Sequence, residues 1–268
     1  MRADQLLVQR GQAASRSQAA RLIDAGARWQ RAGLPDAPWK ALSKSDDLPD
    51  DALIDIADAA EARYVSRGGL KLEGALKATG LQVQGLHCLD VGQSTGGFTD
   101  CLLQHGAAHV TGIDVGHSQL HPRLPEDERV RCIEGINARA LDATLFIADD
   151  AQPEPTAAHI AATFDLLVAD LSFISLTLVL PAVVALLKPG AHALLLVKPQ
   201  FELQPGQVGK GGIVKEPAYY AVVEKRLRDC CATLGLQVLQ WLPSPIEGGD
   251  GNREFFIYAR RQSSPQGA

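Results

Sequence analysis

The pattern of apolar and polar positions changes character along the chain. From His87 onward, apolar runs recur at His87–Val91, His109–Asp114, Val130–Glu134, Phe164–Asp170, Ala191–Lys198, Leu236–Leu242 and Glu254–Arg260, with helical patterns between most of them. Short apolar runs bounded by turn residues predict strands, and their alternation with helices predicts β/α units wound into a largely parallel, doubly wound sheet. Ligands of such sheets bind at the carboxyl ends of the strands, which is where Asp90, Asp114, Asp170 and Lys198 fall.

Before Tyr64 the pattern differs. Leu6, Leu7, Ala14, Ala19, Leu22 and Ile23 stand at helical spacings and predict two short helices, with Gly11 ending the first, Ser15 capping the second and Gly26 stopping it. Ala27–Trp29 predicts the start of a short strand, Gly33-Leu34-Pro35 a turn, and Leu53, Ile54 and Ile56 a closing strand. The chain therefore reads as a small α+β head over residues 1–59, a linker over 60–63, an α/β domain over 64–262 and a polar tail over 263–268.

Charge sharpens this division. The net charge is -5, which taken alone argues against a nucleic-acid partner. Between Met1 and Ser45, however, eight basic residues face three acidic ones, so a basic head precedes an acidic body. Within that head Arg2, Arg10, Arg16 and Arg21 are the candidate RNA contacts; Arg16 and Arg21 share part of one helix face toward phosphates, and a merely solvated face is the competing reading. At 268 residues and 46% hydrophobic, the chain is long enough for one full-sized core and a small one. The five cysteines show no CxxC spacing, so no disulfide framework, zinc site or other metal is expected. No apolar run reaches the roughly 18 residues of a membrane span and no secretory h-region is visible, so the expectation is a cytoplasmic protein without a membrane partner.

Candidate chemistry concentrates in DVGQSTGGF, from Asp90 to Phe98. Gly92, Gly96 and Gly97 let backbone approach a ligand closely, and the helix start that follows offers free N–H groups. No Gly-Lys-Ser/Thr follows, so this is not a Walker loop, and the spacing departs from the GxGxxG fingerprint. Asp114, ending the next strand, stands where an acid accepts hydrogen bonds from a ribose diol. An adenosine-containing cofactor fits these features; an ordinary βα turn with a capping acid is the alternative. Asp170 and Lys198 close buried strands, where charges are costly unless used or paired, and they could equally form a structural ion pair. Taken singly, Lys71 in SRGGLKLEGAL reads as a solvated helix lysine and Glu254 in GNREFFIYA as a surface strand residue.

In order along the chain, YVSRGGLKLEGAL, DVGQSTGGFTDCLL, VTGIDVGHSQL, INAR, VADLSFISL, VKPQFE, GQVGKGG and GGDGNREFF resemble the TlyA family. That family, often labelled haemolysin, is similar to FtsJ-type RNA 2'-O-methyltransferases, and the likeness spans nearly the whole chain. RADQLLVQRGQAASRSQAARLIDAG resembles the RNA-binding module of a ribosomal small-subunit protein. One departure is Leu124-Pro125, where the family commonly has Leu-Arg. The resemblance implies a Rossmann-like methyltransferase domain behind an RNA-binding head, S-adenosylmethionine as cofactor, and methyl transfer to the ribose 2'-hydroxyl of a cytidine in ribosomal RNA or ribosomal subunits. It implies a catalytic set of Lys71, Asp170, Lys198 and Glu254; within that set Lys198 is favoured as base, and late departure of the proton with the set acting only through electrostatics is the alternative. The cofactor is then expected against Asp90, Gly92, Ser94, Thr95, Gly96, Gly97 and Phe98, with Asp114 at its ribose and Asn137 by its adenine.

A non-catalytic ribosome-assembly factor would not need that four-residue set. A pore-forming haemolysin would need a membrane-active element, and none is visible. A base methyltransferase would carry a catalytic cysteine or an Asn/Asp-Pro-Pro-Tyr-like loop, where this chain reads Asp170-Leu171-Ser172-Phe173.

Overall fold

The structure, a computed structural model, describes residues 1–13, 15–24, 26–33, 37–56, 63–141, 164–248 and 251–263. Most of the expected linker and tail, and Leu34 and Pro35 of the expected turn, lie outside these residues. Contacts divide the chain into two units, Met1–Leu70 and Lys71–Ala268.

In the first unit, helices α1 (Ala3–Gln9) and α2 (Arg16–Asp24) accompany a three-stranded antiparallel sheet of β1 (Arg28–Gln30), β2 (Lys40–Ala41) and β3 (Leu53–Asp55), in the order β2-β1-β3. Ser15 Oγ accepts from Gln18 N at 3.2 Å, the expected N-cap of α2. Leu6, Leu7, Leu22 and Leu48 form the unit's small core.

The second unit is built on a seven-stranded sheet, β4 (His87–Val91), β5 (His109–Ile113), β6 (Val130–Ile133), β7 (Phe164–Ala169), β8 (Leu187–Val197), β9 (Leu236–Pro243) and β10 (Phe255–Arg261). Their order is β6-β5-β4-β7-β8-β10-β9. The β4–β5, β5–β6, β4–β7 and β7–β8 pairings are parallel, whereas β10 runs antiparallel to both its neighbours. Alternate residues separate the two faces. Leu89, Leu167, Leu195 and Ile257 share a core with α5 (Leu176–Val184) and α7 (Ala218–Thr233). On the opposite face, Phe256 stacks on Phe98 of α4 (Gly97–Gln104) at 6.2 Å. Helix α3 (Arg67–Thr79) precedes β4 and the short α6 (Pro199–Glu202) follows β8.

This topology leaves a crevice where the candidate site can lie. Strand order reverses between β4 and β7, so the loops leaving these strands diverge and leave a crevice. Because β10 is antiparallel, its first residue pairs with the last residue of β8, Phe255 with Val197, and Glu254 is delivered to the same edge as Lys198.

Candidate active site

The turn after β4 is held by the strands beside it. Gly92 N and Gln93 N both donate to Ile113 O, and Asp170 N donates to Val91 O at 3.1 Å. Gly92 has φ +82°, and a Cβ there would stand 2.6 Å from Asp170 O, so both conformation and space require glycine. Gly96, the N-cap of α4, has φ +89° and lies under Leu124, which is 2% exposed. Leu124 of the departing Leu124-Pro125 pair therefore packs its segment onto the glycine turn, and His121 N reinforces this by donating to Thr95 O.

A cavity of about 460 Å³ opens beside this turn, lined at one end by Gly92, Ser94, Asp114 and Asn137 and at the other by Asp170 and Ser172. Asp114 accepts from Ser94 N and Gly116 N, each at 2.7 Å, which fixes its carboxylate at the end of β5. Val115, Ile136 and Leu171 add apolar lining. Asn137 lines the cavity while its side chain accepts from Arg139 N at 3.1 Å. Thr95, Gly96, Gly97 and Phe98 build the turn and helix behind the cavity and do not line it. Asp90 is fully buried below the turn, where Thr99 Oγ1 donates to its Oδ2 at 2.7 Å. Burial pushes the Asp90 carboxyl up to about 7, with Asp170 adding to the effect and the Thr99 hydrogen bond opposing it. Its Oδ1 has no hydrogen-bond partner among the described residues.

The four charged candidates meet at the end of this cavity that Asp170 lines. Lys71 Nζ pairs with Glu254 Oε2 at 2.6 Å, both buried, and Lys198 Nζ pairs with Asp170 Oδ1 at 2.5 Å. Burial raises the pKa of Glu254; Lys71 and Lys198 oppose that rise and Asp170 adds to it, so this one carboxylate feels all three other members. Lys71 and Glu254 thus depart from the exposed positions that each suggests when read alone.

Some contributors carry no sequence signal. Ser172 Oγ accepts from Lys198 Nζ at 2.9 Å. Phe173 is 90% exposed with φ +64°, a left-handed conformation costly for a bulky residue, and its ring lies 5.1 Å from that of Phe201. Asn252 pins the segment before Glu254: its Oδ1 accepts from Val214 N and its Nδ2 donates to Gly212 O, each at 2.9 Å. The GQVGKGG and GGDGNREFF motifs are thereby tied together, a relation visible only as two ordered motifs in the sequence.

A model of FtsJ-like methyltransferases matches residues 64–261. The chain belongs to the FtsJ-like methyltransferase family. Within it, this methyltransferase groups with TlyA proteins: it is 42% identical to the 16S/23S rRNA (cytidine-2'-O)-methyltransferase TlyA of Mycobacterium tuberculosis, over 98% of this chain and 90% of that one. It is also similar to a solved hemolysin-named protein from Streptococcus thermophilus, at 34% identity and a TM-score of 0.72, covering 99% of this chain and 90% of that chain. An S-adenosylmethionine-dependent methyltransferase from Mesorhizobium loti shares the fold at 18% identity, with a TM-score of 0.51 over 71% of this chain and 98% of its own. Among the described residues no helix is long and apolar enough to cross a membrane.

Proposed function

We propose that this FtsJ-like enzyme transfers a methyl group from S-adenosylmethionine to the 2'-hydroxyl of a cytidine ribose in ribosomal RNA, acting in the cytoplasm on RNA or ribosomal subunits. The observation that carries this reading is the cluster of the buried pair Lys71–Glu254 and the half-buried pair Asp170–Lys198 at the end of a nucleoside-sized cavity.

The residues present suit that cofactor. The unpartnered Oδ1 of Asp90 offers an acceptor beneath the turn, and Gly92 keeps the approach clear of side chain. Asp114 retains lone pairs for a ribose diol, and the apolar lining from Val115, Ile136 and Leu171 suits an adenine face. When bound, the cofactor supplies an electrophilic methyl group on a sulfonium.

The chain's own residues then have separable tasks. Lys71 and Glu254 form a buried pair that fixes the floor of the site, and Asp170 and Ser172 hold Lys198 Nζ toward the cavity end. Lys198 must first give up a proton; as the neutral amine it then takes the proton of the 2'-hydroxyl as the oxygen attacks the methyl group and displaces the sulfonium sulfur as the thioether. Most of the acceleration comes from holding oxygen and methyl in line. The exposed ring of Phe173 provides a face on which the target base rests once unstacked.

The test is to map ribose methylation on ribosomal RNA treated with the purified protein and cofactor. The expected product is a cytidine carrying 2'-O-methyl; methyl groups found only on bases, or no transfer to RNA from cofactor-loaded protein, overturns the reading.

A further inference from the structure

Three of the four head arginines marked by the sequence, Arg2, Arg10 and Arg16, are placed differently from a free phosphate-binding row. Arg2 and Arg16 both pair with Asp4, at 3.1 and 2.7 Å, and Arg10 donates to the carbonyls of Asp50 and Ala52. These three tie α1 and α2 to each other and to the segment before β3. The side chain of Arg21 lies outside the described residues.

The edge of the head's sheet presents another set. Of the chain's three tryptophans, Trp29 lies within β1 and Trp39 immediately precedes β2 in the antiparallel β1–β2 pair. Trp29 is directly opposite Lys40, whose Nζ lies 5.8 Å from its ring centroid, and the Arg28 guanidinium lies 5.9 Å from that of Trp39. Trp39 is 42% exposed. A cavity of about 580 Å³ is lined by Trp29, Arg31, Pro38, Lys40 and Asp47, among others; Trp39 borders it through its neighbours Pro38 and Lys40 without lining it, and Arg31 and Lys40 are exposed. A tryptophan serving only the head's core has no need to leave this much ring in water.

Aromatic faces flanked by cations suit one ligand chemistry well: unpaired nucleotides, whose bases stack on the ring while their phosphates meet the cations. Asp47 weakens the cavity as a track for closely spaced duplex phosphates, yet it can accept from the exocyclic amino group of a base. We propose that the β1–β2 edge is a docking site for unpaired RNA, with a base stacked on Trp39 and phosphates paired with Arg31 and Lys40. The proposal rests on the ribosomal RNA reading above and assigns the head's contact to its sheet edge.

The test uses the full chain and a fluorescently labelled 12-nucleotide single-stranded RNA, with a blunt RNA duplex as comparison. Base stacking is worth about 1–3 kcal/mol per base by alanine substitution, so Trp39→Ala should weaken single-strand binding roughly 5- to 150-fold, while Trp39→Phe retains most of it. Arg31→Ala and Lys40→Ala should each reduce the salt slope of binding by about 0.7. Duplex binding should change far less in all these variants. Circular dichroism and cofactor titration check that each variant is folded; the positions are at least partly exposed. Single-strand affinity of Trp39→Ala within two-fold of the unsubstituted protein, or an equal loss for duplex, overturns the proposal. If the unsubstituted protein still methylates ribosomal RNA in that case, only the docking site falls; if it neither binds nor methylates RNA, the functional reading falls with it.

Discussion

Lys198 is the residue on which the proposed chemistry turns. Its ammonium is held by Asp170 and Ser172, so proton acceptance and charge positioning have to be separated by substitution. Lys198→Arg keeps a cation but cannot release its proton near neutral pH. With Lys198 as base, both the arginine and alanine variants should lose about 10²-fold or more in single-turnover methyl transfer with cofactor affinity little changed; a near-normal arginine variant leaves Lys198 a positioning charge. Asp90 gives a second test, through stability. Its carboxyl is raised from 3.8 to about 7 in the folded chain, so its contribution is most favourable below pH 3.8 and is lost as pH rises through about 7. Asn titrates nowhere in that range. The stability difference between Asp90→Asn and the parent, from urea unfolding at several pH values, should therefore move in favour of the variant between pH 4 and pH 7 and level off above; a flat difference contradicts the burial argument.

At the scale of elements, the turn after β4 is the tightest constraint. Gly92→Ala meets both a left-handed backbone and the Asp170 carbonyl, whereas Gly80, at φ +68°, has nothing within 4 Å of an added Cβ. Gly80→Ala should cost only the conformational term, roughly 1–2 kcal/mol, and leave cofactor binding intact. Gly92→Ala should cost more and also impair cofactor binding, measured by thermal unfolding and calorimetric titration; equal behaviour of the two variants would mean that the close approach to Asp170 is unimportant. This turn was legible in the sequence because its glycines, strand and helix are contiguous, and the strands were legible because each is a bounded apolar run. The start of β8 was not: Lys188-Pro189-Gly190 reads as a turn, yet the strand extends back to Leu187, with an irregular register against β7 where Gly190 takes φ +81°. The two-residue β2 is too short to show a period. Ser172 and Phe173 could be quoted but not interpreted, since their contacts with Lys198 and Phe201 come from elements distant in sequence. Arg2, Arg10 and Arg16 were visible as charges, but their engagement with Asp4 and backbone carbonyls was not.

For the whole molecule, the basic head and acidic body imply a division of labour. Phosphate neutralisation supplies most non-specific RNA affinity, and the body carries the net negative charge. Removing Met1–Ala59 should abolish methylation of ribosomal RNA while leaving a folded, cofactor-binding body. Full-rate transfer by the truncated protein, followed with labelled methyl groups, would place RNA recognition in the body instead.

The antiparallel insertion of β10 also sets an order of events during synthesis. Lys71 leaves the ribosome before any strand of the large sheet, whereas the carboxylate that neutralises it arrives with the last of them. Until then β8 waits with an open edge for a strand made later than its eventual outer neighbour. The Asp170–Lys198 pair joins the ends of the adjacent strands β7 and β8 and needs no later strand, whereas a pairing as distant along the chain as Lys71 with Glu254 forms late, so that half completes the four-charge cluster. On the proposed chemistry, competence for transfer is expected only once β10 is in place, because Glu254 directly precedes it.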